Sequence, residues 1–251
     1  MNRKAVAWTF GRFSPPTLGH QKLIDRVKDE AHKIKGEARI YLSSSYDNRK
    51  NPLTYRDKVQ FMRQMFRGVN VIDDKTKTNP FVVIISMYEE GVTDFVMVAG
   101  SDRVPEYKKN IRAFLDNPRH PESFNSWDVI SAGERDPDEQ GATGIIGTKM
   151  RIFAATGDYD SFSRGAPSSA DKSTTLAMYN MVRLGLGIRE SFTPKQIGIG
   201  YVAVDMETLD YGKIINILGN KYVYESMRTG NIRIQDRSNL LEWENCNSLI
   251  H

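Results

Sequence analysis

The stretch from Lys4 to Lys35 constrains the fold more than any other. Lys4 to Phe10 is a short apolar run with Val, Trp and Phe, which reads as a buried strand. A loop bearing glycine and proline follows, Gly11 to Thr17. From Leu18 to Lys35 the period changes, with Leu23, Ile24, Val27 and Ala31 on one side of an expected helix. A strand that hands over to a helix through a tight loop is half of a parallel crossover.

The alternation continues. Strands are expected at Arg39 to Ser43, Asn70 to Asp73, Asp94 to Gly100 and Asp128 to Ser131. Helices are expected at Thr54 to Phe66 and Arg103 to Leu115, and a helix or buried segment at Phe81 to Glu90. Such a pattern predicts an α/β fold: a Rossmann-like parallel sheet with helices on both faces. Ligands of these sheets sit beyond the carboxyl ends of the strands, where strand order reverses, so the loop after the first strand is the place for chemistry. Two more helices are expected, from Thr148 to Thr156 and from Ser169 to Leu186. After Gly187 short strands take over at Gly198 to Val204, Lys213 to Leu218, Lys221 to Glu225 and Ile232 to Gln235, with turn signals at Gly219-Asn220 and Thr229-Gly230-Asn231. We read residues 1–188 as the Rossmann-like domain and 189–251 as a small β-rich C-terminal extension.

Composition narrows the function classes. Across 251 residues, hydrophobic types make up 39% of the chain, enough for a core. A net charge of +4 favours anionic ligands only in a general way and does not by itself indicate nucleic acid. The single cysteine, Cys246, allows no intrachain disulfide and no cysteine metal cluster. It leans toward a reducing cytosol, so a cytoplasmic setting is expected. The Met-Asn-Arg-Lys start, with its apolar run broken at Gly11, does not read as a signal peptide, and no run approaches the ~18 apolar residues of a membrane span.

The loop Gly11-Arg12-Phe13-Ser14-Pro15-Pro16-Thr17-Leu18-Gly19-His20 carries the chemistry. Gly11 permits a sharp turn at the strand end, and Pro15 and Pro16 stiffen the loop. Gly19 keeps the first helical turn open for a phosphate, which the N-terminal N–H groups and dipole favour. His20 can donate a ring N–H to a phosphate oxygen, and Arg12 can fork onto one. The bland alternative is an ordinary strand–helix turn. Three further segments agree with the sharper reading. Gly147-Thr148-Lys149-Met150-Arg151 precedes a helix, with Thr148 as either a plain cap or a phosphate ligand. Asn51-Pro52-Leu53-Thr54-Tyr55-Arg56-Asp57-Lys58 follows the second strand, with Thr54 and Asp57 in capping-box register. Gly100-Ser101-Asp102-Arg103 ends the strongest strand, and Asp102 either caps the next helix or meets a nucleotide. No His/Asp/Glu cluster has metal-site spacing. Ser131 to Asp136 reads as a solvated loop or a cover for the site. His32 reads as surface, and His120 lies in a loop between prolines.

These segments resemble the nucleotidylyltransferase superfamily. Its signature, Gly-x-Phe-x-Pro-x-Thr/His-x-Gly-His, matches Gly11 to His20. Gly11-Arg12-Phe13 and Asn51 to Lys58 look most like archaeal-type nicotinamide mononucleotide (NMN) adenylyltransferases. Gly147 to Arg151 resembles the family's Ser-Gly-Thr-x-Ile-Arg signature, with Ile146 in place of serine. The resemblance implies in-line attack by a substrate phosphate on the α-phosphorus of an NTP, with release of pyrophosphate. It places His20, Arg12, Arg151 and Lys149 in catalysis. Gly11, Phe13, Thr17, Gly19, Gly100, Asp102 and Thr148 would hold the nucleotide, and Asn51, Thr54 and Lys58 the second substrate. Lys58 stands where the family has arginine, which puts that last contact in doubt. No protein-held metal is implied, and Mg²⁺ would ride on the NTP phosphates. The partners implied are an NTP, ATP first, and a small phosphate-bearing substrate such as NMN. A cytidylyltransferase or a pantetheine-phosphate adenylyltransferase is the alternative. The Gly-Thr-Lys-Met-Arg segment also looks like nucleotidyltransferase-like proteins of large tailed phages. That would set the chain in the host cytoplasm, and it suggests another class: a nucleotide-binding assembly component that oligomerises through its β-rich extension.

Overall fold

The computed structural model describes residues 3–133, 147–188, 199–200, 202–205, 210–226, 229–236 and 240–242. Residues 134–136 of the expected cover loop, Ile146, Gly198, Cys246 and His251 lie outside them. The chain divides into two compact units, Met1–Ile188 and Arg189–His251.

In the first unit the elements alternate as the hydrophobic pattern requires. They run β1 (Ala5–Gly11), α1 (Leu18–Lys33), β2 (Glu37–Leu42), α2 (Tyr55–Met65), β3 (Asn70–Ile72), α3 (Pro80–Glu89), β4 (Asp94–Ala99), α4 (Val104–Leu115) and β5 (Ser126–Ser131). Three helices follow: α5 (Gly147–Thr156), α6 (Tyr159–Gly165) and α7 (Lys172–Gly185). The five strands pair in parallel in the order β3-β2-β1-β4-β5. The chain leaves β1 toward β2 and β3, then returns to β1's other side with β4. That reversal makes the fold Rossmann-like and puts the switch point at the carboxyl ends of β1 and β4, the place where ligands of such sheets sit.

Side-chain alternation along β1 explains the layering. Val6 and Trp8 face one core with Tyr41, Phe95 and Met97, closed by Val83, Ile84 and Met87 of α3 and Ile111 of α4. Trp8 is fully buried, edge-on to Tyr41 at 5.8 Å and to Phe95 at 6.1 Å. Ala7 faces the opposite side, where small residues let α1 come close through Val27 and Ala31, with Val98 of β4. Helix α3 starts where Asn79 accepts the Phe81 and Val82 N–H groups and Pro80 takes the first turn. At the amino end of β2, buried Arg39 keeps its charge against the cost of burial, because Glu37, Tyr41 and Glu90 surround the guanidinium.

Helices α5 and α7 meet the expectations of Thr148 to Thr156 and Ser169 to Leu186, and α6 falls between them where no helix is expected. It is only seven residues long, with Phe162 as its one large buried anchor, so it leaves too little periodicity to read. Its Asp158 cap, accepting the Ser161 N–H at 2.9 Å, is the signal available.

The second unit is an antiparallel sheet in the order β10-β6-β7-β8-β9, built from β6 (Val202–Asp205), β7 (Asp210–Leu218), β8 (Lys221–Ser226), β9 (Ile232–Asp236) and β10 (Leu240–Glu242). Gly219, at φ 63°, turns β7 into β8 where the Gly-Asn signal places the hairpin. Ala203, Ile214, Tyr222, Tyr224 and Leu240 form one buried face. On it the Asp205 carboxylate accepts Tyr224 Oη at 2.9 Å and Gln235 Nε2 at 3.1 Å. The three-residue strand β10 went unread in the sequence. No helix among the described residues is long and apolar enough to cross a membrane.

Candidate active site

The loop after β1 is held by its own side chains. Thr17 caps α1, and the partner in the capping box is His20, at the position usually taken by Glu or Gln. The Thr17 N–H donates to His20 Nδ1 at 3.0 Å. A backbone N–H can only donate, so Nδ1 is an acceptor and the ring proton belongs to Nε2. The loop thereby selects the tautomer that turns the ring's far nitrogen into a donor. The Phe13 ring sits 4.8 Å from the His20 ring and is fully buried. Phe13 itself is at φ 44°, a left-handed conformation that costs a non-glycine residue about 1–2 kcal/mol. A Ser14–Pro15 cis peptide follows.

Two glycines of the loop have different reasons. A Cβ on Gly11 would lie 2.7 Å from the Phe13 ring, so Gly11 is required by the aromatic folded over it. That corrects the expectation of a sharp turn at Gly11, which does not adopt positive φ. A Cβ on Gly19 would meet only Thr17 Oγ1, at 3.6 Å, so the protein's own packing does not demand glycine there.

Ser14 joins three distant segments. Its hydroxyl accepts the Leu53 N–H at 3.2 Å, and its carbonyl accepts Arg151 Nη1 at 3.1 Å. Ser14 is buried, and it occupies a variable position of the motif, so nothing in the sequence marks it. Arg151 also donates from Nη2 to Thr148 Oγ1 at 3.0 Å. Thr148 lies in the first turn of α5 (Gly147–Thr156), and its hydroxyl accepts this Arg151 bond rather than a backbone N–H cap. Lys149 beside it is exposed.

Positive charge accumulates around this junction. Burial lowers the Arg151 pKa, and the nearby Arg12 guanidinium lowers it further. Lys58 is pulled down to about 8 by burial first and then by Arg12. Asp47 opposes both shifts. Asp47 itself is held strongly ionised, chiefly by the Lys50 N–H and then by the Asn51 amide and the Arg49 N–H. Arg12 is exposed and has no carboxylate partner among the described residues. Like charges gathered in this way call for an anion.

The remaining expected residues fall out as follows. The Lys58 ammonium is buried and donates to the Ser43 and Ser45 carbonyls at 2.9 and 2.6 Å, so it braces the loop after β2. Thr54 caps α2 in a reciprocal box with Asp57. Asn51 donates to Asp47, while its Oδ1 is buried with no hydrogen-bond partner. Gly100 and Asp102 lie just past β4, on the strand next to β1. The cap alternative for Asp102 is corrected: neither the 3-10 turn Ser101–Arg103 nor α4 receives a side-chain cap bond. His32 is exposed, and His120 stacks on Phe114 at 3.9 Å. Among the described residues no group of three His, Cys, Asp or Glu could hold a metal.

Lys58 sets a pH test. Its folded pKa lies below the ordinary lysine value, so between pH 8 and about 10.5 the unfolded chain binds a proton that the folded chain does not. Its contribution to stability should rise with pH across that window and stay level below it. Denaturant midpoints measured from pH 7 to 10.5 should show this rise in the native protein, and Lys58→Met should flatten it.

No protein-family model matches the chain, and no curated protein does. Among solved structures it is similar to Thermotoga maritima TmcAL bound with α-thio ATP, at 10% identity and a TM-score of 0.46, over 73% of this chain and 56% of that one. It is also similar to a bifunctional NMN adenylyltransferase/ADP ribose pyrophosphatase from Francisella tularensis complexed with AMP and a manganese ion. There the identity is 11% and the TM-score 0.46, over 86% of this chain and 68% of that one. The chain thus spans little more than half the length of the first.

Proposed function

We propose that the chain is a nucleotidylyltransferase that moves an NMP group, AMP first, from an NTP to a small phosphate-bearing acceptor such as NMN. The observation that carries this is the meeting at Ser14. Arg151 comes from far along the chain to the same loop that orients His20, with Arg12 and Lys58 adding charge beside it. Gly19 supports the reading, since its missing side chain suits close approach of a phosphate to the α1 N-terminus rather than any contact within the protein.

In this reading His20 donates from Nε2 to a non-bridging oxygen of the transferring phosphate, where charge grows as the acceptor oxygen attacks. Arg12 and Arg151 hold the triphosphate and the departing pyrophosphate. No covalent intermediate is needed; placement and charge neutralisation do the work. Mg²⁺ carried on the NTP phosphates would supply further charge neutralisation there. Lys58 acts indirectly, by fixing the Ser43–Ser45 backbone.

The test is pyrophosphate release from a panel of NTPs against NMN, phosphopantetheine and alcohol phosphates. Turnover with ATP and NMN is the expected result. Turnover only with CTP or with phosphopantetheine selects the alternative transferases. A second reading, a nucleotide-binding assembly component, draws on edge strand β9, where Ile232 and Ile234 are exposed. NTP binding with no turnover for any acceptor would favour it.

A further inference from the structure

Lys58 is tied to the candidate site through backbone. Its ammonium is fully buried, and its partners are two neutral carbonyls, Ser43 at 2.9 Å and Ser45 at 2.6 Å. The Ser43 N–H in turn donates to the Gly11 carbonyl at 2.8 Å, one residue before Arg12. A buried cation held only by dipoles is costly, and no carboxylate among the described residues pairs with this one. Three charged groups act on it. Arg12, from the loop after β1, opposes its charge, whereas Asp47, from the loop after β2, and Asp57, from its own helix, favour it. Both carboxylates are already committed. Asp57 accepts the Thr54 N–H and hydroxyl at 2.9 and 2.6 Å, and Asp47 accepts the Arg49 and Lys50 N–H groups and the Asn51 amide. Arg12 is exposed, has no carboxylate partner among the described residues, and acts on Arg151 as well. Of the three, only Arg12 is open to an anion.

We propose that an anion seated on Arg12 and Arg151 drives protonation of Lys58, so that filling the site takes up a proton from solvent and tightens the Ser43–Ser45 loop. This rests on the reading of the junction as a polyphosphate site. The anion cancels the Arg12 charge and adds its own, and both changes favour the ammonium over the neutral amine. The ammonium makes charge-assisted bonds to the two carbonyls that the amine cannot match. With only the protein's own charges acting, Lys58 is held at about 8 by burial first and then by Arg12. Below that pH its proton is in place and anions bind most tightly. Above it, binding must also bring in a proton, so affinity falls as pH rises toward the higher value of the filled site.

The experiment is NMR on the full chain, ¹⁵N-labelled and with ¹³C-labelled lysine, titrated from pH 7 to 10.5 alone and with saturating ATP in EDTA. Lys58→Met assigns the Lys58 signal. The ATP phosphates are already ionised over this range, so the ligand adds no titration of its own. The Lys58 midpoint should lie near 8 without ATP and rise by about one pH unit or more with it. Arg12→Gln should raise the midpoint with no ligand added. ATP affinity should fall by about fivefold between pH 7.5 and 9.5 in the native chain and stay level in Lys58→Met. Lys58→Arg, charged at every pH, serves both purposes if Lys58→Met does not fold. ATP that shifts the Gly19 and His20 backbone amides but leaves the Lys58 midpoint in place overturns this inference alone. ATP that shifts neither overturns it together with the reading beneath it. A Lys58 midpoint of about 10.4 without ATP, or one indifferent to Arg12→Gln, also overturns it.

Discussion

His20→Ala should leave a folded protein whose nucleotidyl transfer has fallen by about 10²–10³, the cost of losing one preorganised donor to a developing charge. The imidazole has two separable jobs. Its Nδ1 accepts the Thr17 N–H and completes the α1 capping box, and the resulting tautomer makes Nε2 the donor. Losing the first job should cost about 1 kcal/mol of stability, a typical figure for a cap. Losing the second should remove the chemistry. His20→Glu distinguishes them. Glutamate is the usual partner in such a box, and it adds negative charge to a first turn that has no acidic residue, so stability should be retained. Its carboxylate would repel a phosphate, so transfer should be at least as low as in the alanine variant. Pyrophosphate release read beside a thermal melt reports both effects. Full activity in a folded His20→Ala protein would remove the mechanism.

Gly185→Ala should destabilise the fold by about 1–3 kcal/mol, against the usual sign for such a change. In an open helix alanine is better than glycine by about 0.5–1 kcal/mol. Here an ideal Cβ on Gly185 would sit 1.8 Å from the Pro52 carbonyl oxygen and 2.6 Å from its carbon. Backbone cannot rotate away as a side-chain tip can, so either α7 or the Asn51–Leu53 segment must move. That segment's Leu53 N–H is bonded to Ser14, whose carbonyl holds Arg151. The disturbance should therefore reach the loop, and pyrophosphate release should fall together with the melting temperature. Leu184→Ala, one residue earlier at a half-exposed side chain, is the control, with an effect below about 1 kcal/mol. Equal stability of the two variants would show that α7 does not press on Pro52.

Local physics was legible wherever an element was long or sharply punctuated. Helix α1 shows its 3.6-residue period and its Thr17 start, and β4 carries the apolar run Phe95 to Ala99, so both stand out in the sequence. The Thr54–Asp57 box is visible as two letters three apart. Short elements such as α6 and β10 were lost because a few residues carry too little period to read. Lys58 is the instructive case. As a residue type, a lysine after a helix cap looks like a substrate contact, but burial turns its amine onto two backbone carbonyls that no pattern reveals.

The sequence by itself determined the alternation of strand and helix, and with it a parallel sheet and a glycine- and proline-bearing loop at its switch point, because these follow from side-chain period and from glycine and proline chemistry. Only the tertiary structure decided which nitrogen of His20 is the donor, that Gly11 is held open by Phe13, and that Ser14 ties the loop to Leu53 and Arg151. The Ser14 ties join groups far apart in the chain, and the other two facts, though they involve residues two or three apart, rest on loop geometry fixed by packing, so none of them leaves a mark in local composition.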